Sequence, residues 1–256
     1  MSKPSGAIDM TQGKPINLML RFALPMMIGS IFQSLYSMVD SAVLGRFVGS
    51  HALAAIGATT STTGLILLLA TGVTSAVSIV LSQYVGANDT DRVRKGIVAS
   101  GWITLLLGVV LGLISVFAAR PLMQLLKTPE DVIDMSVLYI QIVCGCGIAQ
   151  FAYNAAASIL RALGDSKTPL YFLILCSILN VILDLISVIG LNMGVAGVAV
   201  ATVGSQAISA AICILVMFRK YPDLMPKRHT LRLDMPVSLK IFGMGCLLYT
   251  SPSPRD

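Results

Sequence analysis

Of the twelve acidic residues, only Asp40 and Asp184 fall inside long runs that carry no other charge. Placing a charged side chain at the centre of a bilayer costs at least about 2.5–3.5 kcal/mol, so intramembrane carboxylates mark ion or proton sites rather than filler. Asp40 stands six residues before Arg46, and Asp184 six before Gly190. On helices running outward, each lies about 9 Å inside the outer end of its span at 1.5 Å per residue. Asn180 precedes Asp184 by four residues and shares its helix face. Thr202 follows Gly194 by eight, about 12 Å below the outer end of the next, inward-running helix. Two carboxylates at one depth, with an amide oxygen and a hydroxyl in the same outer half of the bundle, are placed to converge as an all-oxygen set, although Asn180 and Thr202 taken alone read as interhelical packing. Such a set suits a hard cation such as sodium, or the carboxylates hold protons instead.

The elements that must position these groups are membrane helices. Hydrophobic residues make up 55% of the 256, charged residues only 12%, and the mean hydropathy is +0.84. A soluble surface needs about twice that charge. The same composition excludes a disordered chain, and five cysteines are too few for a disulfide-stapled secreted domain. Six stretches are long enough to cross a bilayer of about 30 Å: Phe22 to Leu44, a segment within Ala52 to Asn88, Gly96 to Ala119, a segment between Met135 and Leu160, Thr168 to Ile189, and a sixth that follows the Gly190–Gly194 turn and ends near Phe218. Each far exceeds strand length, so the fold class is an all-α integral membrane lobe of six transmembrane helices.

Six spans put alternate loops on opposite sides, and the basic residues sort accordingly. Fourteen, including Lys14, Arg21, Arg92, Arg161, Lys167 and Lys220, share the side of the N-terminus, against Arg46, Arg120 and Lys127 on the other. That excess predicts a cytoplasmic N-terminus. It also accounts for the net charge of +6 without nucleic acid. The first span is too long for a cleaved signal peptide and is followed by five more.

Pro25 removes a backbone hydrogen bond within the first span, which predicts a kink there. Gln33, Tyr139, Asn154 and Gln206 are candidates for lining the same cavity, with helix-to-helix hydrogen bonding as the other reading. The thirteen methionines are assigned no role. Cys144 and Cys146, two apart on a helix, point to different faces, and His51 and His229 fall outside the spans without zinc spacing. No cofactor is expected, and no metal beyond a sodium ion.

The chain divides into a cytoplasmic N-terminal segment (1–17), the six-helix lobe (18–218), a basic proline-containing linker (219–240), the start of a truncated seventh helix (241–245) and a terminal segment (246–256). The terminal CLLYTSPSPRD resembles the translation of a transposase adapter used to build sequencing libraries, so the natural chain is expected to continue beyond Gly245.

Three segments together carry a family resemblance: Pro25 followed by QSLYSMVDSAVLGRFVG (Gln33 to Gly49), RALGDSKTP (Arg161 to Pro169) and NVILDLISVIGLNMGVAGVAVATVGSQ (Asn180 to Gln206). From Met10 to Gly245 the chain resembles the N-terminal half of a bacterial multidrug and toxic compound extrusion transporter, the MATE family. The resemblance implies one of two six-helix lobes related by a pseudo-twofold axis, with a C-terminal lobe of the same chain as its partner. It implies a cation site at Asp40, Asn180, Asp184 and Thr202, a bending role for Pro25, and lobe-cavity positions for Tyr139 and Asn154. It further implies antiport in the bacterial inner membrane, with inflowing sodium or protons driving export of amphipathic, often cationic, small molecules. The expected protein is a transporter and not an enzyme.

Two other readings compete. A lipid-linked oligosaccharide flippase of related fold needs Arg or Lys in its cavity for a pyrophosphate, and no basic residue lies deep in any span. An intramembrane aspartyl protease needs two membrane carboxylates sharing a proton, but Val39 precedes Asp40 and Leu183 precedes Asp184, not the usual Tyr and Gly. A channel is disfavoured by the lack of a filter-like loop.

Overall fold

A computed structural model describes residues 15–224, 226 and 234–250. The described residues form eight α-helices: α1 (Pro15–Phe47), α2 (Ser50–Gly86), α3 (Thr90–Leu125), α4 (Glu130–Gly145), α5 (Ile148–Ala162), α6 (Lys167–Leu185), α7 (Gly194–Lys220) and α8 (Met235–Thr250). A single π-turn, Ile186–Gly190, prolongs α6. His229 and the terminal Ser-Pro steps lie outside the described residues.

By length and composition α2, α3, α6 with its π-turn, and α7 each suffice to cross a membrane, and the bent pair α4–α5 makes a fifth span. The 33-residue α1 is also long enough, and Ser30, Gln33, Ser34, Tyr36, Ser37 and Asp40 give it polar positions. It runs without a break through Pro25, whose ring is buried. The outward surface is apolar, as a lipid-facing surface must be: Phe117, Leu125 and Tyr171 are each largely exposed.

The fourth span departs from the sequence reading. It is two helices meeting at 44° across Cys146 and Gly147. The cause is packing against α3. A Cβ on Gly112 would lie 2.9 Å from the Gly145 carbonyl oxygen, and one on Gly108 3.0 Å from Ile148 Cα. These two α3 glycines, one turn apart, let the broken backbone lie directly on α3. Cys144 is buried and Cys146 exposed, as their spacing requires.

Connections between helices carry local signals. Gly49 before α2 has φ +111°, a conformation open to glycine. Asp89 caps α3 by accepting from the Arg92 N–H at 3.0 Å. Asp234 does the same for α8, accepting from Val237 N–H at 3.3 Å with Pro236 in the first turn. The last helix therefore starts at Met235, inside the stretch read as linker, and continues through the Cys246–Thr250 stretch assigned to the terminal segment. It packs on α2 and α3, with Lys240 donating to Gln83 at 3.2 Å and Lys95 paired with Asp234 at 3.3 Å.

Three apolar clusters hold the bundle. The largest joins α2, α3, α5, α7 and α8 around Val77, Leu81, Leu160 and Ile241; a second links Val43 and Leu44 to Val188, Val195 and Val198; a third packs Ala119 and Met123 on Val137 and Ile140. Between these clusters α1, α6 and α7 stand side by side.

Candidate functional site

The pairing of α1 with α6 starts at a glycine. A Cβ on Gly29 would sit 3.1 Å from Leu173 Cδ2, so the helices approach closely at that level. Beyond this contact α1 presents Gln33 and Tyr36 to a cavity and then reaches Asp40; α6 presents Ser177 and Asn180 and then reaches Asp184. These steps of three and four residues follow one face of each helix. The carboxyl groups of Asp40 and Asp184 consequently stand within hydrogen-bonding reach of each other.

Asp184 is fully buried and Asn180 is 1% exposed. Asn180 Nδ2 donates to Thr202 Oγ1 at 3.5 Å, bringing α7 into the group. What remains is a concentration of acceptors: Asp40 Oδ1, Asn180 Oδ1 and both Asp184 carboxylate oxygens are buried, and none accepts a hydrogen bond from a described residue. Buried acceptors without donors are costly, about 1–3 kcal/mol each and more when charged. Two adjacent carboxylates are stable together only with a proton or cation between them. Four such oxygens and the Thr202 hydroxyl supply the hard ligand set that an alkali cation requires.

Below this cluster lies a cavity of about 310 Å³, walled by α1, α2, α5, α6 and α7. Of the residues expected there, Gln33, Asn154 and Gln206 line it; Pro25, Asn180 and Thr202 do so too. Tyr139 does not. It comes from α4 into electrostatic reach of Asp40 and packs on the apolar cluster around Val43 and Leu44. The aspartates sit beyond the cavity's end, with Tyr36 between the cavity and the pair.

Among the wall residues that sequence reasoning missed are Tyr36, Tyr153 and Arg161. Tyr36 was signalled by its position one helical turn before Asp40. Tyr153, whose hydroxyl donates to the Pro169 carbonyl at 3.1 Å, ties α5 to α6. Arg161 was counted only as a loop charge, yet it lines the cavity. The span is free of deep basic residues in chain position, but the wall is not free of cationic groups.

The turn Leu163–Ser166 closes the other end. Gly164 has φ +83°, and Asp165, fully buried, accepts from Thr168 N–H at 3.1 Å, Thr168 Oγ1 at 2.6 Å and Lys220 Nζ at 2.6 Å. Outside the bundle His51 pairs with Asp131 at 3.1 Å on an exposed surface, and Arg120 pairs with Asp134. Among the described residues no cluster of three His, Cys, Asp or Glu side chains forms a metal site.

Comparison with known proteins agrees with this architecture. The chain is 34% identical over 205 residues to a probable multidrug resistance protein, YpnP, of Bacillus subtilis (strain 168), covering 79% of this chain and 46% of that protein. Its fold matches a multidrug resistance MATE family transporter of the MOP superfamily in an outward-facing conformation, with TM-score 0.85 and 25% identity, covering 91% of this chain and 52% of that one. A MOP superfamily transporter from Pyrococcus furiosus shares the fold with TM-score 0.86 at 24% identity, covering 96% of this chain and 54% of that one. The chain thus spans about half the length of the relatives it matches. The MatE family model matches residues 25–186, from the cavity proline through the carboxylate pair. With that match over more than half its length, the chain belongs to the MatE family of multidrug and toxic compound extrusion transporters.

Proposed function

We propose that the complete protein is a secondary active antiporter that exports amphipathic, often cationic, compounds in exchange for sodium or protons. One observation carries this reading. Asp40 and Asp184 stand within hydrogen-bonding reach at the head of a largely apolar cavity with polar side chains on its wall, and their site holds four buried oxygens that accept from no described residue. Loading a cation or proton there removes the repulsion between the carboxyls. Unloading restores it, so occupancy biases one packing of the bundle over another. A cationic ligand in the cavity is drawn to the same negative end, which supports exchange of one for the other.

The predominance of basic residues on one side supports an N-terminus and an Arg161–Ser166 end facing the cytoplasm, in a bacterial inner membrane. The remaining half of the machinery is a second lobe. Sodium and protons are distinguished by which gradient drives efflux. The contact between two aspartates is also what a proteolytic pair requires; kinship with multidrug transporters supports efflux instead.

The test is substitution in the complete protein. Asp40→Asn and Asp184→Asn each abolish cation-driven substrate uptake into everted vesicles while membrane insertion is unchanged. Wild-type efflux by either variant overturns the site, and cleavage of a helical substrate that depends on Asp184 overturns the transporter reading.

A further inference from the structure

The cavity has an opposite pole. Arg161, in the last turn of α5, places its guanidinium on the wall at the end away from the carboxylates. Its Nη2 donates to Ser158 Oγ at 2.8 Å. Among the described residues no carboxylate pairs with it. Asp165 is four residues away and is the obvious candidate, but Lys220 and Thr168 occupy it. Of five guanidinium N–H donors, one therefore has a side-chain acceptor.

The same cavity wall carries a second underused polar group. Ser166 lines the cavity, is 4% exposed, and its hydroxyl has no hydrogen-bond partner among the described residues. A planar cation with free donors and a buried unpaired hydroxyl on one wall is the complement of a carboxylate, which takes two parallel N–H bonds from Arg and one from a hydroxyl. Left without such a ligand, the Ser166 hydroxyl bears its desolvation uncompensated and the guanidinium is compensated only by Ser158.

We propose that the Arg161–Ser166 end of the cavity is an anion subsite that receives a carboxylate of the transported ligand. The cavity is then bipolar, and its preferred ligands are amphiphiles carrying both charges, the anionic end on Arg161 and the cationic end toward Asp40 and Asp184. Fourteen residues of α6 separate Ser166 from Asn180, about 21 Å along the axis. One ligand need not touch both poles, and the guanidinium selects by orientation.

The inference rests on the reading of this cavity as the ligand site, so binding is measured apart from transport. The probes are a fluorescent xanthene cation as its methyl ester and the same dye as its free carboxylic acid, titrated against purified full-length protein by anisotropy. The wild type binds the acid about tenfold more tightly than the ester, the scale of one charge-assisted pair. Arg161→Gln removes that preference and leaves ester affinity within about twofold; Arg161→Lys keeps part of it, since the charge remains but the fork is lost. Benzoate competes with the acid and not the ester in the unmutated protein, which tests the subsite without a substitution. Equal affinity for both dyes in the wild type, equal weakening of both by Arg161→Gln, or binding of neither overturns the subsite. Intact acid preference with no cation-driven efflux overturns the transport reading and leaves the subsite standing.

Discussion

Gly29 of α1 lies against Leu173 of α6, and eleven residues further along each helix stands a carboxylate, Asp40 on one and Asp184 on the other. The two helices therefore run side by side in matched register, and the contact at the glycine sets the distance at the aspartates. Substituting Gly29 by Leu drives α1 off Leu173, since even a bare Cβ already meets that side chain at 3.1 Å. The expected outcome is at least a tenfold loss of cation affinity in Gly29→Leu, with Gly29→Ala much milder because the Leu173 terminus can shift. Cation titration of purified full-length protein reads this, and unchanged affinity in the Leu variant refutes the register argument.

Thr202 contributes differently from the acids. Its hydroxyl accepts from Asn180 Nδ2 at 3.5 Å, a long bond to a neutral group. Removing it in Thr202→Ala leaves a buried amide N–H unpaired, at about 1–3 kcal/mol, and weakens cation binding without abolishing it. Thr202→Ser restores most of the loss. Cation affinity separates the three variants, and an effect as complete as that of Asp184→Asn would give Thr202 a larger role than the geometry allows.

The Asp165–Lys220 pair predicts a pH dependence. Burial alone pushes the Asp165 carboxyl up, but hydrogen bonds from Lys220 and Thr168 and the Lys220 charge outweigh it and hold the group below its ordinary 3.8. A carboxylate depressed in the folded state stabilises above its unfolded value of about 3.9, and that contribution is lost as pH falls through the lower folded value. Acid unfolding of the wild type should show this loss below about pH 4, and Asp165→Asn should lack it. At neutral pH the substitution leaves the Lys220 charge without its partner and costs about 2–3 kcal/mol, less than a fully buried pair because Lys220 keeps 24% of its side chain exposed. Melting in detergent at pH 7 and in steps from about pH 5 to about pH 2 measures both effects.

Glycines on the helix faces should divide into two groups. Gly112→Ala sets a Cβ 2.9 Å from the Gly145 carbonyl, a backbone atom that cannot yield cheaply, whereas a Cβ at Gly57 meets nothing within 4 Å. The first lowers the melting temperature. The second leaves it unchanged or raises it, as replacing a mid-helix glycine gains roughly 0.5–1 kcal/mol. Equal behaviour of the two would remove the packing explanation for the broken fourth span.

Much of this was legible in the chain because membrane helices obey simple geometry. A rise of 1.5 Å per residue and two span ends sufficed to put Asp40 and Asp184 at one depth, and the four-residue spacing put Asn180 on the same face. Depth is one coordinate of three, however. Tyr139 has the right depth but a different azimuth, which only the packing of α4 decides. Arg161 was misplaced because a long flexible side chain at a helix end reaches back over the wall, so position in sequence says little about where its charge lies. The break at Cys146 was hidden because glycines are ordinary in apolar spans; its signal was the pairing of Gly145 and Gly147 with Gly108 and Gly112 on the preceding helix. The start of α8 was readable in Asp234-Met235-Pro236, a capping residue with a proline in the first turn, and was overlooked within a basic proline-containing stretch.

The lobe is unevenly stiff. α3, α4 and α5 are locked together by backbone contacts at Gly108 and Gly112, whereas α1 leaves Leu24, Met27, Ile31, Leu35 and Met38 uncovered along one side. A force between Asp40 and Asp184 acts between a compliant rod and a braced frame. If the pair loads a proton or an ion as proposed, that force falls first on the contact between α1 and α6, and the backbone contacts at Gly108 and Gly112 keep the shape of the frame beyond it.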